Sequence, residues 1–336
     1  MKTTHKRGVG VLAAAATLAL LAGCSTTDAA TGGSSNDTKP VKELTVGFLE
    51  RQLDAPYYTA MQNQAKAIAK KQGFKLLVQN AGGDPVTQLN QAQTMLSQGA
   101  DVIVADVLSP STEKDQFKQI ADQVPVVFMD TGIPGVGVTS VTSDNEKSGE
   151  LSGKLAAGRF DKGSTIKVGI LNGGPNDEVV GPLRQKGFLE GLEDGGVKYD
   201  VAASTSAVYA QDKAVPATES MLAAHPDLDL ILGLNDSMAL GALTVLQDQK
   251  NTTTLVAASS DGQKEAFEQI QKGCDAQYVS TGLNSPDLAT QRAFEIATSI
   301  GSGKTKASSY DDNEYTKAAG INCENVGDYY DADSIF

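Results

Sequence analysis

The chain has 336 residues, 40% of them hydrophobic, which is enough for two ordinary globular cores. Aromatic residues make up only 5%, tryptophan is absent, and the charged side chains sum to −13. That acidity argues against nucleic-acid partners, whose phosphates it would repel.

The first residues carry an address. Lys2, His5, Lys6 and Arg7 form a basic start, an apolar run covers 9–22, and Leu21-Ala22-Gly23-Cys24 closes it. The run is too short to favour a spanning helix, so an export signal is expected over 1–23. The closing tetrapeptide resembles the bacterial lipobox, whose cysteine is acylated. Cys24 is therefore the expected lipid-bearing residue, anchoring the chain outside the cell membrane. Residues 24–43 are rich in Ser, Thr, Gly, Ala and Asp and cannot bury a core, so a flexible tether is expected there.

From residue 44 onward, strands and helices alternate. Strands are expected at 44–49, 74–78, 102–105, 124–128 and 138–142, with helices at 57–72, 85–98 and 113–122 between the first four. A second run follows. Helices are expected at 146–160, 181–193, 212–224, 263–271 and 286–300, and strands at 166–171, 201–204, 255–258, 276–280 and 316–322. Repeats of this length predict α/β architecture with doubly wound parallel sheets.

The most informative stretch is 230–246. A short apolar run, Leu230 to Leu234, meets Asn235-Asp236, and a helical pattern begins at once. Open α/β sheets read ligands just outside the carboxyl ends of their strands. Asp236 reads more simply as the N-cap of the helix, which leaves Asn235 free to face a ligand. Asp130, Asp261 and Asn284 also fall at strand ends, and Asp144-Asn145 follow another. Taken singly, each fits turn or cap chemistry. Their recurrence at equivalent ends favours a site, because carboxylates and carboxamides can grip several neutral hydroxyl groups at once. Tyr57, Tyr58 and Tyr209 lie in or beside loops, where their rings could cover the apolar C–H faces of a sugar; for Tyr57 and Tyr58 packing at a helix start is the alternative.

Those residues carry a resemblance. Asp54-Ala55-Pro56-Tyr57-Tyr58, Asp130, Ser143-Asp144-Asn145, Ala224-His225-Pro226-Asp227, the run Asn235 to Ala242, Asp261-Gly262 and Pro286-Asp287 resemble the ribose-binding family of type I periplasmic sugar-binding proteins. The resemblance extends from about 44 to 300. It implies two α/β domains joined by a three-strand hinge: 44–143 with 284–314, and 144–283 with 315–336. It implies that Asp130, Asn235, Asp261 and Asn284 bind sugar hydroxyls, with Tyr57, Tyr58 and Tyr209 at aromatic stacking positions. A sugar or polyol, an ABC transporter permease and a monomeric state are the implied partners and assembly, with no cofactor and no metal.

There are departures. Family members that bind ribose place Arg directly after the residue at Asp130; here Thr131 stands there. A second family Arg falls near Pro182, where Arg184 is the nearest. Ala55 replaces an Asn. These changes count against ribose itself. Glu50 and Arg51, at the end of the first strand, are candidates to restore the charge; the simpler reading pairs them with each other or with solvent.

Other classes fit less well. No glycine-rich turn with dinucleotide spacing follows a strand, and once the leader is removed His225 is the only histidine, too little for a triad or a histidine metal cluster. Paired carboxylates leave hydrolysis formally open. A repressor of related fold would carry a basic helix-turn-helix rather than a lipobox. A sensor presenting sugar to a membrane receptor remains compatible with the sequence. If Cys24 carries lipid, Cys274 and Cys323 remain in an oxidising compartment. By the family's topology both fall in the second domain, where a disulfide between them is expected.

Overall fold

The computed structural model describes residues 38–334 and 336. The expected signal peptide, Cys24 and most of the expected tether lie outside these residues. The folded region begins earlier than expected. The Lys39 amide donates to the Ser302 carbonyl at 3.0 Å, and its ammonium contacts Asp101 at 2.7 Å, so 39–43 already lie on the body.

In chain order the first elements are β1 (Thr45–Glu50), α1 (Pro56–Gln72), β2 (Lys75–Asn80), α2 (Pro85–Ser97), β3 (Val102–Ala105), α3 (Pro110–Ala121), β4 (Val126–Met129) and β5 (Thr139–Ser143). They are followed by α4 (Asn145–Ala157), β6 (Thr165–Asn172), α5 (Val180–Asp194), β7 (Lys198–Ser206), α6 (Gln211–Ala224), β8 (Leu230–Gly233), α7 (Asp236–Asp248), β9 (Leu255–Ala258) and α8 (Lys264–Ile270). The last are β10 (Thr281–Gly282), α9 (Pro286–Gly301), β11 (Asn313–Thr316) and β12 (Gly320–Ile321).

Two parallel sheets define two lobes. The first runs β2-β1-β3-β4-β5-β11 and the second β7-β6-β8-β9. Both faces of the first sheet are covered, and alternation sorts its side chains between them. Val46, Phe48, Val102, Val104, Val127 and Met129 pack with α1 and α9 around Phe74 and Phe294. Leu49, Ile103, Ala105, Val126 and Phe128 pack with α2 and α3 around Met95 and Phe117. In the second lobe α4 and α5 approach closely because glycines line the crossing: a Cβ at Gly153 would overlap the Phe188 carbonyl, and one at Gly187 the Glu146 carbonyl.

Helix starts follow sequence chemistry. Proline occupies the first turn of α1, α2, α3 and α9, where its missing N–H costs nothing. Asp84, Asp144 and Ser285 cap their helices through backbone N–H groups of Thr87, Lys147 and Leu288.

The chain passes between the lobes after β5, between β10 and α9, and between β11 and β12. These crossings meet: β10 pairs antiparallel with β12, and Ser143 Oγ lies 2.5 Å from Asn284 Oδ1 and 3.0 Å from Thr316 Oγ1. Two strand expectations are corrected here. The strand expected at 316–322 is split, because β11 ends the first sheet and β12 belongs to the hinge pair. The strand expected at 276–280 is reduced to a bridge between Tyr278 and Val256, although neighbouring backbone bonds continue along β9. Cys274 and Cys323 are joined in the structure, with Cα atoms 5.1 Å apart.

Candidate functional site

Parallel strands deliver their C-terminal ends to the gap between the lobes. A narrow, nearly filled cavity of about 10 Å³ lies there, lined by Arg51, Tyr57, Tyr58 and Asp130 of the first lobe and Val180, Arg184, Tyr209, Asn235 and Asp261 of the second. Each of these is buried, and all but Val180 carry a polar side-chain group.

Asp130 is aimed by a strained turn. The Thr131 amide donates to the Met129 carbonyl two residues back, and Asp130 holds φ at 62°. A non-glycine residue adopts that conformation only when its surroundings force it, and such residues cluster at functional sites. Val208 and Tyr209, with φ of 44° and 64°, repeat this on the opposite wall.

The polar groups then interlock. The Tyr57 hydroxyl lies 3.1 Å from both Asp130 Oδ1 and Asn284 Oδ1, and its single proton can serve only one of them. Burial pushes that hydroxyl's pKa well up, so it stays a donor. Asn284 does not line the cavity; it supports it from the crossing, accepting from Ser143 and reaching Asp261 Oδ1 at 3.4 Å. Arg184 donates from Nε to Asn145 Oδ1 at 2.8 Å and from Nη1 to the Leu234 carbonyl at 3.1 Å; its Nη2 meets Asp261 Oδ1 at 2.8 Å. Burial raises the Asp261 carboxyl to about 6 against the opposing pull of Arg184. Tyr209 donates to Asp177 Oδ2 at 2.5 Å while its ring lies under the Arg184 guanidinium.

Asn235, not Asp236, caps α7, accepting from the Met238 amide at 3.0 Å. Its amide nitrogen donates to the Tyr209 carbonyl at 3.3 Å. Asp236 is fully buried one residue further on. One of its oxygens accepts from the amides of Asp261, Gly262 and Gln263 at 3.1, 2.6 and 2.7 Å, and the other from Tyr278 at 2.5 Å. The expected cap is thus the clamp that holds Asp261 in place. Gly262 completes that turn at φ 94°.

Glu50 and Arg51 part company. Arg51 enters the cavity, with Nη1 3.2 Å from Thr131 Oγ1 and 3.9 Å from Asp106. Glu50 stays out of it and accepts from Gln62 of α1 at 2.6 Å, its carboxyl pushed up to about 7 by burial. The two do not pair with each other. Asp106, Asp177 and Val180 are not among the residues expected from the sequence. Asp106 carries a sequence signal, since it follows β3 as Asp130 follows β4.

Chemically, the cavity offers two guanidinium groups, two carboxylates, one carboxamide and three phenols in a water-poor space. Such a set can donate to and accept from adjacent hydroxyls. His225, the only histidine among the described residues, ends α6 and does not line the cavity.

Known proteins share the sequence pattern and the fold. Residues 46–305 match the model of the periplasmic binding protein domain family. The ribose import binding protein of Bacillus subtilis is 29% identical over 268 residues, covering 78% of this chain and 83% of its own. A Mycobacterium smegmatis ABC transporter solute-binding protein, solved with bound glycerol, is 28% identical with a TM-score of 0.77, covering 85% of this chain and 96% of that one. The Caulobacter myo-inositol binding protein shares the fold at 24% identity and a TM-score of 0.76, covering 85% of this chain and 95% of its own. Such proteins bind substrates for transport rather than transform them, and the chain belongs to the periplasmic binding protein family, among the type I members related to ribose-binding proteins.

Proposed function

We propose that the chain is the substrate-binding lipoprotein of an ABC importer and takes a monosaccharide or polyol between its lobes. The observation that carries this reading is the cavity wall, where Asp130, Asp261, Asn235, Arg51 and Arg184 converge from both lobes with three tyrosines. Balanced charge suits a neutral polyhydroxy ligand. Asp130 and Asp261 accept from hydroxyls, Arg51 and Arg184 donate to their oxygens, and Asn235 does both. Asn284 supports Tyr57 and Asp261 from behind.

A ligand gripped from both walls requires an open state to admit it, and binding then shifts the population toward the closed one. We take the moving bodies to be 44–143 with 284–316 and 144–283 with 317–336, since β11 pairs with β5 of the first sheet through Thr316. A monomer delivers the sugar to its permease, and Cys24 carries the acyl chains that keep it at the membrane. Two acyl chains hold such an anchor stably where one does not.

A thermal-shift panel of pentoses, hexoses and polyols, followed by calorimetry on any compound that stabilises the protein, tests the reading. At least one compound is expected to bind with 1:1 stoichiometry. No binding across the panel sinks it, as does turnover of a bound sugar. Cys24→Ala is expected to move the protein from the membrane to the soluble fraction; retention refutes the anchor.

A further inference from the structure

The first turn of α3 lacks a cap of its own. Its N-cap residue, Ser109, makes no side-chain bond to the helix backbone, and the amide of Ser111 has no partner within the first lobe. A carboxylate from the other lobe supplies one. Glu178, in the segment between β6 and α5, accepts from the Ser111 amide at 3.1 Å through Oε2. Its Oε1 accepts from the hydroxyls of Ser109 and Ser111 at 2.7 and 2.6 Å. An anion at a helix N-terminus is stabilised both by the orphan N–H groups and by the helix dipole.

We propose that Glu178 is a latch that holds the two lobes together by capping α3 across the gap. It does not line the cavity wall itself. It is nevertheless tied to that wall. The neighbouring Asp177 accepts from the Tyr209 hydroxyl at 2.5 Å and from the Gly181 amide at 2.9 Å, which fixes the segment from which Glu178 projects. Gln52 adds a parallel contact, donating to the Val208 carbonyl at 3.2 Å. Anything that displaces Tyr209 therefore moves the latch. Glu113 does not compete for the Ser111 amide: it packs inside the first lobe, accepting from the Ser109 amide at 2.7 Å.

This rests on the reading of a cleft that opens and closes, but not on the identity of the sugar. The test uses the full chain with Cys24→Ala, spin-labelled at Asp115→Cys on α3 and Lys213→Cys on α6. Electron–electron distance distributions are recorded without added sugar. Because Glu178 is exposed, its three bonds contribute modestly. Glu178→Ala is expected to raise the ratio of long to short distances about three- to tenfold, and Glu178→Gln by less. Ser111→Ala should act in the same direction and add little once Glu178 is gone. An unchanged distribution in Glu178→Ala overturns the latch, as does full additivity with Ser111→Ala or a parent with no short-distance population. Failure to bind any sugar would refute the transport reading and leave this readout intact.

Discussion

Removing the Asp261 carboxylate should damage folding and binding together. Asp261 and Arg184 meet at 2.8 Å with side chains only 4% exposed. Taking one partner from a buried pair strands the other charge, which typically costs about 3–5 kcal/mol. Arg184 would keep Asn145 and the Leu234 carbonyl, so Asp261→Ala should sit at the lower end, about 3 kcal/mol of stability. A ligand hydroxyl losing its acceptor adds roughly 1–3 kcal/mol in affinity, or about 5- to 150-fold. Urea unfolding at constant slope reads the first and calorimetry the second. A variant that loses less than about 1 kcal/mol and keeps its affinity would refute the pairing argument.

The same residue carries a pH signature. The folded carboxyl holds its proton to about pH 6, whereas the usual value is 3.8. Raising the pH through that window removes stability, because the unfolded chain gives up its proton more readily. It also creates the anion that accepts from hydroxyls. Affinity should therefore rise through the window while stability falls, and Asp261→Asn should flatten both slopes.

Glu50→Gln should stabilise the protein at pH 8 by roughly 2–3 kcal/mol and have little effect near pH 4, since burial lifts this carboxyl from 4.5 to about 7; equal thermal shifts at the two pH values would contradict this. Replacing both Cys274 and Cys323 by Ser should cost about 4 kcal/mol, the chain-entropy value for a loop of this size, where the two residues are 49 apart. Two free thiols in unreduced, exported protein would remove that expectation.

The alternating core was legible because it depends on local pattern. The strands at 102–105 and 255–258 have the expected bounds, since short apolar runs flanked by turn residues have little else to become. The terminal pieces were not legible in the same way. Thr316 and Gly320 sit four residues apart in an extended stretch, yet they pair in different sheets, and only the meeting of three crossings decides where one ends. Asp236 shows a similar limit. At a helix start, Asn235 and Asp236 are equally good caps by type. What separates them is the turn at 261–263, which presents three amides from about 25 residues away in sequence.

Glu50 and Arg51 are separated by a local rule. Successive side chains of a strand face opposite ways. Val46 and Phe48 point toward α1, and Glu50 continues that face to meet Gln62 of α1. Leu49 belongs to the other face, and Arg51, two residues on, leaves the strand end on the side that opens into the cavity. Adjacent charges at a strand end therefore cannot serve one ligand as a pair without a bulge. The same parity bears on Asp106. It lies at the end of β3, next to β1, is fully buried, and stands 3.9 Å from Arg51 Nη1. It stands behind Arg51 without a hydrogen bond to it, while Asp130, held at its unusual φ by the next strand's turn, lines the cavity. Burial pushes the Asp106 carboxyl well up and its oxygens have no hydrogen-bond partner, so Arg51 is held chiefly by Thr131 and stays free to donate forward, which is the property a hydroxyl-reading wall needs.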